Sequence, residues 1–241
     1  MFGRNAIAPV IADPAALLWV QEIFPTIQGE GPSAGTPAIF VRLAGCNLRC
    51  SFCDTDFESG TLRLSRDALL HCIDELETKI AADLIVFTGG EPLRQAAIVP
   101  VMRKLLDLGY DVQIETAGTV WPEGMDALMS HEGMSVICSP KTGKVHPKII
   151  KFAAAFKYIV AADDASPKDG LPIQSTQTPD HAQPVYRARH SLIWVQPRAE
   201  YDARGNPDDI ATFRNVSHAA KIAMHYGYRL SLQIHKLIGL P

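Results

Sequence analysis

The sequence lacks any apolar run that approaches the roughly 20 residues needed to span a bilayer, so it predicts no membrane segment. Pro9, Asp13 and Pro14 interrupt the N-terminal apolar stretch, which suits a secretory signal poorly, and the expected location is the cytoplasm. An excess of basic residues is also missing, because 23 Lys and Arg stand against 26 Asp and Glu. Nucleic-acid partners are therefore not expected. With 47% hydrophobic residues, the chain is not of a disordered class either.

The sequence also lacks an even number of cysteines, because it has five. An odd number in a chain expected in the cytoplasm argues against a disulfide framework and favours metal or redox chemistry. Three of them, Cys46, Cys50 and Cys53, fall within eight residues. Cys72 in a helical pattern and Cys138 in an apolar strand are predicted to be small buried hydrophobes.

Short apolar runs rich in strand-forming residues recur with room for a helix between most of them. The predicted strands cover residues 37–43, 84–88, 111–116, 134–138, 156–160, 191–196 and 228–234. Predicted helices follow an N-cap at Ser65, span 97–108, and span 208–226 with an apolar face of Ile210, Phe213, Val216, Ala220 and Ala223 or Met224. Strands that alternate with helices imply a mainly parallel sheet with right-handed crossovers.

The chain is too short for a closed barrel of this kind. A complete eightfold (β/α) barrel takes about 250 residues, and here the first 36 residues and a long loop must be subtracted. The expected fold class is therefore α/β, with a partial, incomplete TIM-type (β/α)6 barrel. We expect one domain over 1–241, with an N-terminal tail at 1–17. Residues 162–190 hold four prolines and form a loop insertion, either a lid or a surface segment.

Residues 45–57 read GCNLRCSFCDTDF and place a C-x3-C-x2-C spacing directly after the first predicted strand. Parallel α/β folds carry their chemistry at this end of a strand, and clustered thiolates favour zinc or an iron–sulfur cluster. A structural zinc site needs four protein ligands, of which Asp54 or Asp56 could be the fourth. Three thiolates on a four-iron cluster instead leave one iron open to a chelating cosubstrate.

This loop resembles the hallmark of the radical S-adenosylmethionine (SAM) superfamily, in which an aromatic residue, here Phe52, precedes the last cysteine. The resemblance implies a [4Fe–4S] cluster held by Cys46, Cys50 and Cys53, with the open iron bound by SAM. An electron from the cluster would cleave SAM to methionine and a 5′-deoxyadenosyl radical, which abstracts a hydrogen atom. A flavodoxin-like reductase is the implied electron donor.

A second motif follows the second predicted strand. Thr88-Gly89-Gly90-Glu91-Pro92 is similar to the superfamily's GGEP segment, whose backbone meets the SAM amino group. Glycines permit such close backbone approach. Polar residues after later strands lie at the same rim, where family members contact SAM. The implied SAM contacts are Phe52, Gly90, Glu91, Glu115, Ser139, Pro140, Lys141 and Gln196.

Further distinctive residues lie outside this core. They are Glu22-Ile23-Phe24, TIQGEG at 26–31, Arg42, Asp54-Thr55 and HKLIGLP at 235–241. With these residues, most of the chain resembles the 7-carboxy-7-deazaguanine synthase family. The resemblance implies a lyase that converts 6-carboxy-5,6,7,8-tetrahydropterin to 7-carboxy-7-deazaguanine, with ring contraction and loss of ammonia, on the route to queuosine. SAM would be regenerated, and a homodimer is implied.

The resemblance also implies a set of substrate contacts. The N–H donors of the pterin's pyrimidine edge suit the carboxylate of Glu30 or the amide of Gln28, and the pterin carboxylate suits the planar Arg42. Thr55 matches the position whose hydroxyl binds Mg²⁺, an ion that keeps several waters and takes other ligands from substrate. The implied substrate residues are Ile27, Gln28, Gly29, Glu30, Arg42, Thr88, His235 and the terminal carboxylate of Pro241.

Two other functions stay open on the sequence. A radical SAM activating enzyme, which generates a radical on a partner protein, would share the cysteine and GGEP segments. It would need a protein-docking surface, and it would not need Gln28-Gly29-Glu30 or a fixed C-terminal proline. A non-catalytic zinc or iron–sulfur module would need only the cysteine loop, and it would give no cluster signal that responds to SAM.

Overall fold

The computed structural model describes residues 5–53, 55–56, 60–177, 185–202 and 204–241. Across these residues, nine strands form one sheet. The strands are β1 (Leu18–Ile27), β2 (Pro37–Leu43), β3 (Leu62–Leu64), β4 (Leu84–Gly89), β5 (Asp111–Thr116), β6 (Met134–Cys138), β7 (Ala155–Val160), β8 (Ile193–Pro197) and β9 (Arg229–Leu230). The helices are α1 (Arg66–Glu77), α2 (Ile98–Asp107), α3 (Met125–Leu128), α4 (Pro147–Phe152), α5 (Asp209–Tyr226) and α6 (Ile234–Leu237).

Seven of the strands run parallel, in the order β2-β4-β5-β6-β7-β8-β9. β1 lies antiparallel between β2 and β3. The sheet has β3 and β9 as its two edges, and within the described chain no pairing joins them, so the barrel is open. The predicted fold class, an α/β fold with an incomplete barrel, is confirmed. Each predicted strand is present, although β9 is shorter than expected.

β1 is the main element that the sequence pattern does not predict. Its sequence contains Pro25, and proline lacks the N–H that a central strand would donate. Among the described residues, β3 pairs with β1 only at 18–20, so Pro25 lies where a second ladder partner is not required. β1 matters for function because Gln28 and Glu30, which follow its last residue beside the amino end of β2, line the same cavity as residues from the carboxyl ends of the parallel strands.

Two helices begin directly after residues whose side chains cap the first turn. The Ser65 hydroxyl accepts a hydrogen bond from Ala68 N at 3.2 Å at the start of α1. Asp208 does the same for α5 by accepting from Ala211 N at 2.9 Å. Within the described residues, no helix is both long and apolar enough to cross a membrane.

α5 packs on a different face from the apolar one that the sequence suggests. Ile210, Phe213 and Met224 are 81%, 70% and 79% exposed, which makes that part of the prediction wrong. Asn215 is buried instead and fixes the rotation of the helix through its polar contacts. Its Oδ1 accepts from Ala162 N, and its Nδ2 donates to Arg198 O and Glu200 Oε1. The buried face of α5 is Asn215, Ala219, Ile222 and Ala223.

Candidate active site

The carboxyl ends of the parallel strands open onto a cavity of about 470 Å³, a size typical of small-molecule sites. Most residues that the sequence predicts for the site line its wall. They are Gln28, Glu30, Arg42, Cys46, Cys50, Phe52, Cys53, Thr55, Thr88, Gly90, Glu115, Ser139, Lys141, Gln196, His235 and Pro241. The predicted residues that do not contribute to the wall are Ile27, Gly29, Glu91 and Pro140.

The cysteine loop lies directly against the loop that follows β4. Gly90 N donates to Leu43 O at 3.2 Å, and Glu91 N donates to Gly45 O at 3.1 Å. A Cβ added at Gly90 would lie 2.1 Å from Gly45 O, so this contact requires glycine. Gly45 has a φ of 78°, a left-handed conformation that turns the chain from β2 into the cysteine loop. The GGEP segment therefore supports the cysteine loop as well as lining the cavity.

Gly90→Ala is expected to force these two loops apart, because no rotamer change relieves a Cβ so close to a backbone oxygen. The free energy of unfolding should fall by about 1–3 kcal/mol, and iron content after anaerobic reconstitution should fall with it. Gly35→Ala is the matched control, because its φ of +94° is strained while nothing lies within 4 Å of the added Cβ. It should lose about 1–2 kcal/mol and load iron normally. Equal iron contents in the two variants would contradict this role of Gly90.

Each of the three loop cysteines has its own polar contact around the cavity. Burial raises the pKa of the Cys46 thiol to about 12. Leu48 N donates to Cys46 Sγ at 3.4 Å, Thr176 Oγ1 donates to Cys50 Sγ at 3.1 Å, and Cys53 Sγ donates to Thr55 O at 3.9 Å. All three sulfur-bearing side chains line the same wall.

This arrangement suits a multi-iron cluster better than a single ion. In the described part of the chain, no three His, Cys, Asp or Glu side chains gather closely enough to enclose one metal. Asp54, one candidate fourth zinc ligand, lies outside the described residues, and Asp56 joins no such group. In a cluster, each cysteine binds a different iron, so the thiols must share a cavity without converging on one point. Cys46, Cys50 and Cys53 meet that requirement.

Glu91 lies behind the wall and clamps the GGEP segment to the end of β5. Its Oε1 accepts hydrogen bonds from Leu93 N at 3.1 Å and Thr116 Oγ1 at 2.8 Å, and its Oε2 accepts one from Ala117 N at 2.8 Å. Burial raises the pKa of Glu91, and these donors act in the opposite direction. The carboxyl group therefore bonds within the protein rather than toward the cavity.

A buried lysine that no sequence motif predicts lies between two predicted site carboxylates. Lys157, on β7, pairs with Glu30 and, at 3.2 Å, with Glu115. Gln28 Nε2 donates to Glu115 Oε1 at 3.1 Å, and Gln233 Nε2 donates to Glu30 Oε1 at 2.8 Å. Burial opposes ionisation of Glu30, but the Lys157 ammonium outweighs burial and lowers the pKa of Glu30 to about 2. Glu30 is therefore a carboxylate throughout the neutral pH range.

The segment after β9 folds back onto the loop that follows β1. Thr26 Oγ1 donates to Pro241 O at 2.9 Å, and Ile234 N donates to Gly29 O at 3.1 Å. A Cβ at Gly29 would lie 2.0 Å from His235 Nδ1, so glycine is needed for His235 to reach the wall. Burial lowers the pKa of His235, which keeps the imidazole neutral at neutral pH. Residues predicted for substrate from opposite ends of the chain thus meet.

Arg42 lies on β2 beside its register neighbour Thr88 on β4, and both line the cavity. Its guanidinium pairs with Glu22 and lies 5.1 Å from the centre of the Phe24 ring. The pair with Glu22 uses one guanidinium nitrogen, and the planar group has five N–H donors in all. Arg42 therefore has the capacity to bind an anion in the cavity as well.

A second lysine, Lys141, and three neutral polar residues, Ser139, Gln196 and Thr55, also line the cavity. Lys141 Nζ donates to the Ser139 carbonyl at 3.2 Å and also contacts its hydroxyl. Burial lowers the pKa of Lys141. Gln196, at the end of β8, accepts a hydrogen bond from Ser231 at 3.1 Å. Thr55 is half-buried in the wall next to the cysteine loop.

The described part of 162–190 packs against the cysteine loop. Thr176 N donates to Lys141 O at 3.0 Å. Gln177 Nε2 lies 3.4 Å from Cys50 Sγ and donates to Thr176 Oγ1 at 2.6 Å. This segment therefore supplies two donors to the surroundings of one cysteine, which no periodicity in its sequence indicates.

Three comparisons with known proteins agree with this geometry. The model of the radical SAM superfamily matches residues 41–172. A 7-carboxy-7-deazaguanine synthase of Rhodospirillum rubrum is 44% identical with both chains fully covered, and one of Rickettsia prowazekii is 35% identical over 100% of this chain and 96% of that relative. The crystal structure of QueE from Escherichia coli superposes with a TM-score of 0.60 at 25% identity, covering 90% of this chain and 94% of that one. This chain belongs to the radical SAM superfamily and, within it, to the 7-carboxy-7-deazaguanine synthase family.

Proposed function

We propose that this chain is a radical SAM lyase that converts 6-carboxy-5,6,7,8-tetrahydropterin to 7-carboxy-7-deazaguanine with loss of ammonia. The observation that carries the proposal is the shared cavity, in which the three loop cysteines face the same space as Glu30 and Arg42. Family membership supports the reaction type. The charged side chains account for recognition of a ligand that has both N–H donors and a carboxylate.

Cys46, Cys50 and Cys53 would hold a [4Fe–4S] cluster with one iron left for SAM. When bound, the cluster and SAM would supply the reductive cleavage that generates a 5′-deoxyadenosyl radical. The protein's own part is to fix the cysteine loop through the GGEP segment. We propose that SAM is contacted by Phe52, Gly90, Glu115, Ser139, Lys141 and Gln196, while Glu91 and Pro140 act by holding the backbone behind the wall.

Glu30 is proposed to accept hydrogen bonds from the pyrimidine edge of the pterin. Because its pKa is about 2, the group accepts and does not donate at neutral pH. An analogue without those donors would leave the carboxylate unpaired, which opposes its binding. Arg42 would bind the substrate carboxylate with parallel N–H groups. The other proposed substrate contacts are Gln28, Thr88, His235, Pro241 and the backbone of Ile27 and Gly29.

Thr55 is proposed as the protein ligand of Mg²⁺. Its side chain lies in the cavity wall next to the cysteine loop. One protein oxygen is sufficient because Mg²⁺ retains several waters and takes further ligands from a bound substrate. An ion there would offset negative charge on the substrate carboxylate.

The direct test incubates anaerobically reconstituted, reduced protein with SAM, Mg²⁺ and 6-carboxy-5,6,7,8-tetrahydropterin. We expect 7-carboxy-7-deazaguanine, identified by mass and by co-elution with a standard, in amounts that exceed the SAM consumed. Cleavage of SAM without this product would contradict the substrate assignment. In that case the activating-enzyme alternative would be favoured.

The donors to Cys50 predict an effect on reduction potential. A hydrogen bond to a cluster thiolate stabilises the reduced, more negative state and raises the potential. Thr176→Val should therefore lower the midpoint potential of the cluster by roughly tens of millivolts, and Thr176→Ser should restore it. Thr142→Val is the control, because the Thr142 hydroxyl donates to Lys144 O at an exposed turn. Identical potentials in all four proteins, measured by redox titration with spectroscopy, would rule out this contribution.

The larger assembly is proposed from family membership. We propose a single domain over 1–241, with a tail at 1–17 and an insertion at 162–190, that forms a homodimer. A flavodoxin-like protein is the proposed electron donor, and a cytoplasmic location stays a prediction. Light scattering should give the mass of two chains, and a monomer would contradict the dimer.

A further inference from the structure

We infer that Lys157 is a positioning residue that fixes Glu30 as an acceptor and links it to Glu115. One buried cation would thereby position a carboxylate that binds substrate and a carboxylate that binds SAM. This inference rests on the proposed function, because it assigns Glu30 to the pterin and Glu115 to SAM.

The geometry around Lys157 supports this role. Lys157 is 4% exposed, and its ammonium contacts carboxylates that lie 127 and 42 residues away in the chain. A buried ammonium without partners is strongly unfavourable, and one cation between two carboxylates gives the group a net charge of −1. The ion pairs therefore join β7 to β5 and to the loop after β1 at a single point.

The two carboxylates differ in how much of their accepting capacity the protein uses. Glu115 Oε1 accepts from Gln28 at 3.1 Å and from Gln113 at 3.3 Å, while its Oε2 faces Lys157. Glu30 Oε1 accepts from Gln233, and its Oε2 faces Lys157. A carboxylate offers about four lone-pair sites. Glu30 therefore retains capacity for donors of a ligand, and Lys157 fixes the direction in which that capacity points.

Other ionisable groups nearby do not replace the Lys157 charge. Glu115 has the same sign as Glu30, and burial keeps His235 neutral at neutral pH. Lys236 also lowers the pKa of His235. The Lys141 ammonium donates to the Ser139 carbonyl and not to Glu30. Without Lys157, two carboxylates would share a buried site, so the pKa of one of them would rise.

The test compares Lys157→Met with the wild type by equilibrium binding of 7-carboxy-7-deazaguanine, which presents the same pyrimidine edge and does not react. Binding to reconstituted, SAM-loaded protein is measured from about pH 5.5 to about pH 8.5, a window well above the low pKa of Glu30. Titration of Glu30 should therefore leave wild-type affinity unchanged there. Lys157→Met should bind about 10- to 100-fold more weakly near pH 6. Its affinity should recover as rising pH ionises Glu30.

Three further proteins make the result specific. Lys157→Arg keeps the charge and should keep the wild-type pH profile. The double variant Lys157→Met/Glu30→Gln has no ionisable group at position 30. It should bind weakly, and its affinity should not recover as the pH rises. Lys151→Met removes an exposed lysine on α4 and should bind like the wild type. Lys157 lowers and Glu30 raises the pKa of His235, so the same proteins are also compared in a His235→Gln background, where no imidazole titrates at that position.

Each outcome decides a different point. If Lys157→Met binds as tightly as the wild type, or weakly but with a wild-type pH profile, the inference is overturned. If Lys157→Met does not fold, Lys157→Gln, which also removes the charge, replaces it, and wild-type affinity or a wild-type pH profile in that variant overturns the inference. If the wild type itself fails to bind the deazaguanine, the proposed function fails, and that failure is distinguishable from a failure of the Lys157 assignment.

Discussion

Cys50→Ala is expected to prevent cluster assembly and to abolish SAM cleavage. Iron after anaerobic reconstitution should fall from about four atoms per chain to near zero, because two thiolates are too few to retain a four-iron cluster. The cavity wall contains Cys46 and Cys53 as the remaining thiols, and among the described residues no third Cys, His, Asp or Glu joins them in a metal-binding group. Iron analysis and chromatographic detection of 5′-deoxyadenosine measure the two losses.

Cys72→Ala is the matched control for this experiment. Cys72 lies on α1, is half-buried and does not line the cavity. Its loss should leave iron content and SAM cleavage unchanged. A Cys50→Ala protein that retained a full cluster and cleaved SAM would show that the predicted three-cysteine site is wrong.

Arg42→Met is expected to raise KM for the pterin about 10- to 100-fold, the effect of losing a charge-assisted hydrogen bond of about 1.5–3 kcal/mol. SAM cleavage in the absence of substrate should not change, because Arg42 is proposed to bind the pterin carboxylate and not SAM. Arg42→Lys should be only partly active, since an ammonium cannot present two parallel donors to a carboxylate. Steady-state kinetics of product formation, combined with the substrate-free assay of SAM cleavage, measure both effects.

Arg63→Met provides a close control for the same change of side chain. Arg63 lies on β3, with its guanidinium 4.6 Å from the centre of the Trp19 ring, and does not line the cavity. The double variant Glu22→Gln/Arg42→Met separates the lost contact from repulsion by the Glu22 carboxylate left behind. An unchanged KM in Arg42→Met would remove Arg42 from the substrate site.

Local patterns were sufficient for the parallel part of the fold. Each buried strand carries its own apolar run, and the Ser65 cap is a contact between residues three apart, so neither depends on distant partners. β1 escaped prediction because Pro25 reads as a strand breaker, whereas the sheet tolerates proline at that position. The predicted packing face of α5 was wrong because the rotation of this helix depends on Asn215, whose hydrogen-bond partners lie in other parts of the chain.

The site follows the same division between local and distant contacts. The cysteine loop and the GGEP segment are continuous motifs, and their spacing predicts their place on the cavity wall. Lys157 was missed because its partner Glu30 lies 127 residues away. A usable signal was present, since a lysine in the apolar strand FKYIV must meet a carboxylate if that strand is buried. The donors Thr176 and Gln177 gave no such signal.

The proposed function depends on a three-cysteine loop that holds a cluster with one iron open to SAM. The most direct measurement is the electron paramagnetic resonance spectrum of the reduced, reconstituted protein before and after addition of SAM. We expect the signal of a single [4Fe–4S]⁺ cluster whose g values and line shape change when SAM is added. A signal that does not respond to SAM, or a protein that binds zinc in place of iron, would contradict it.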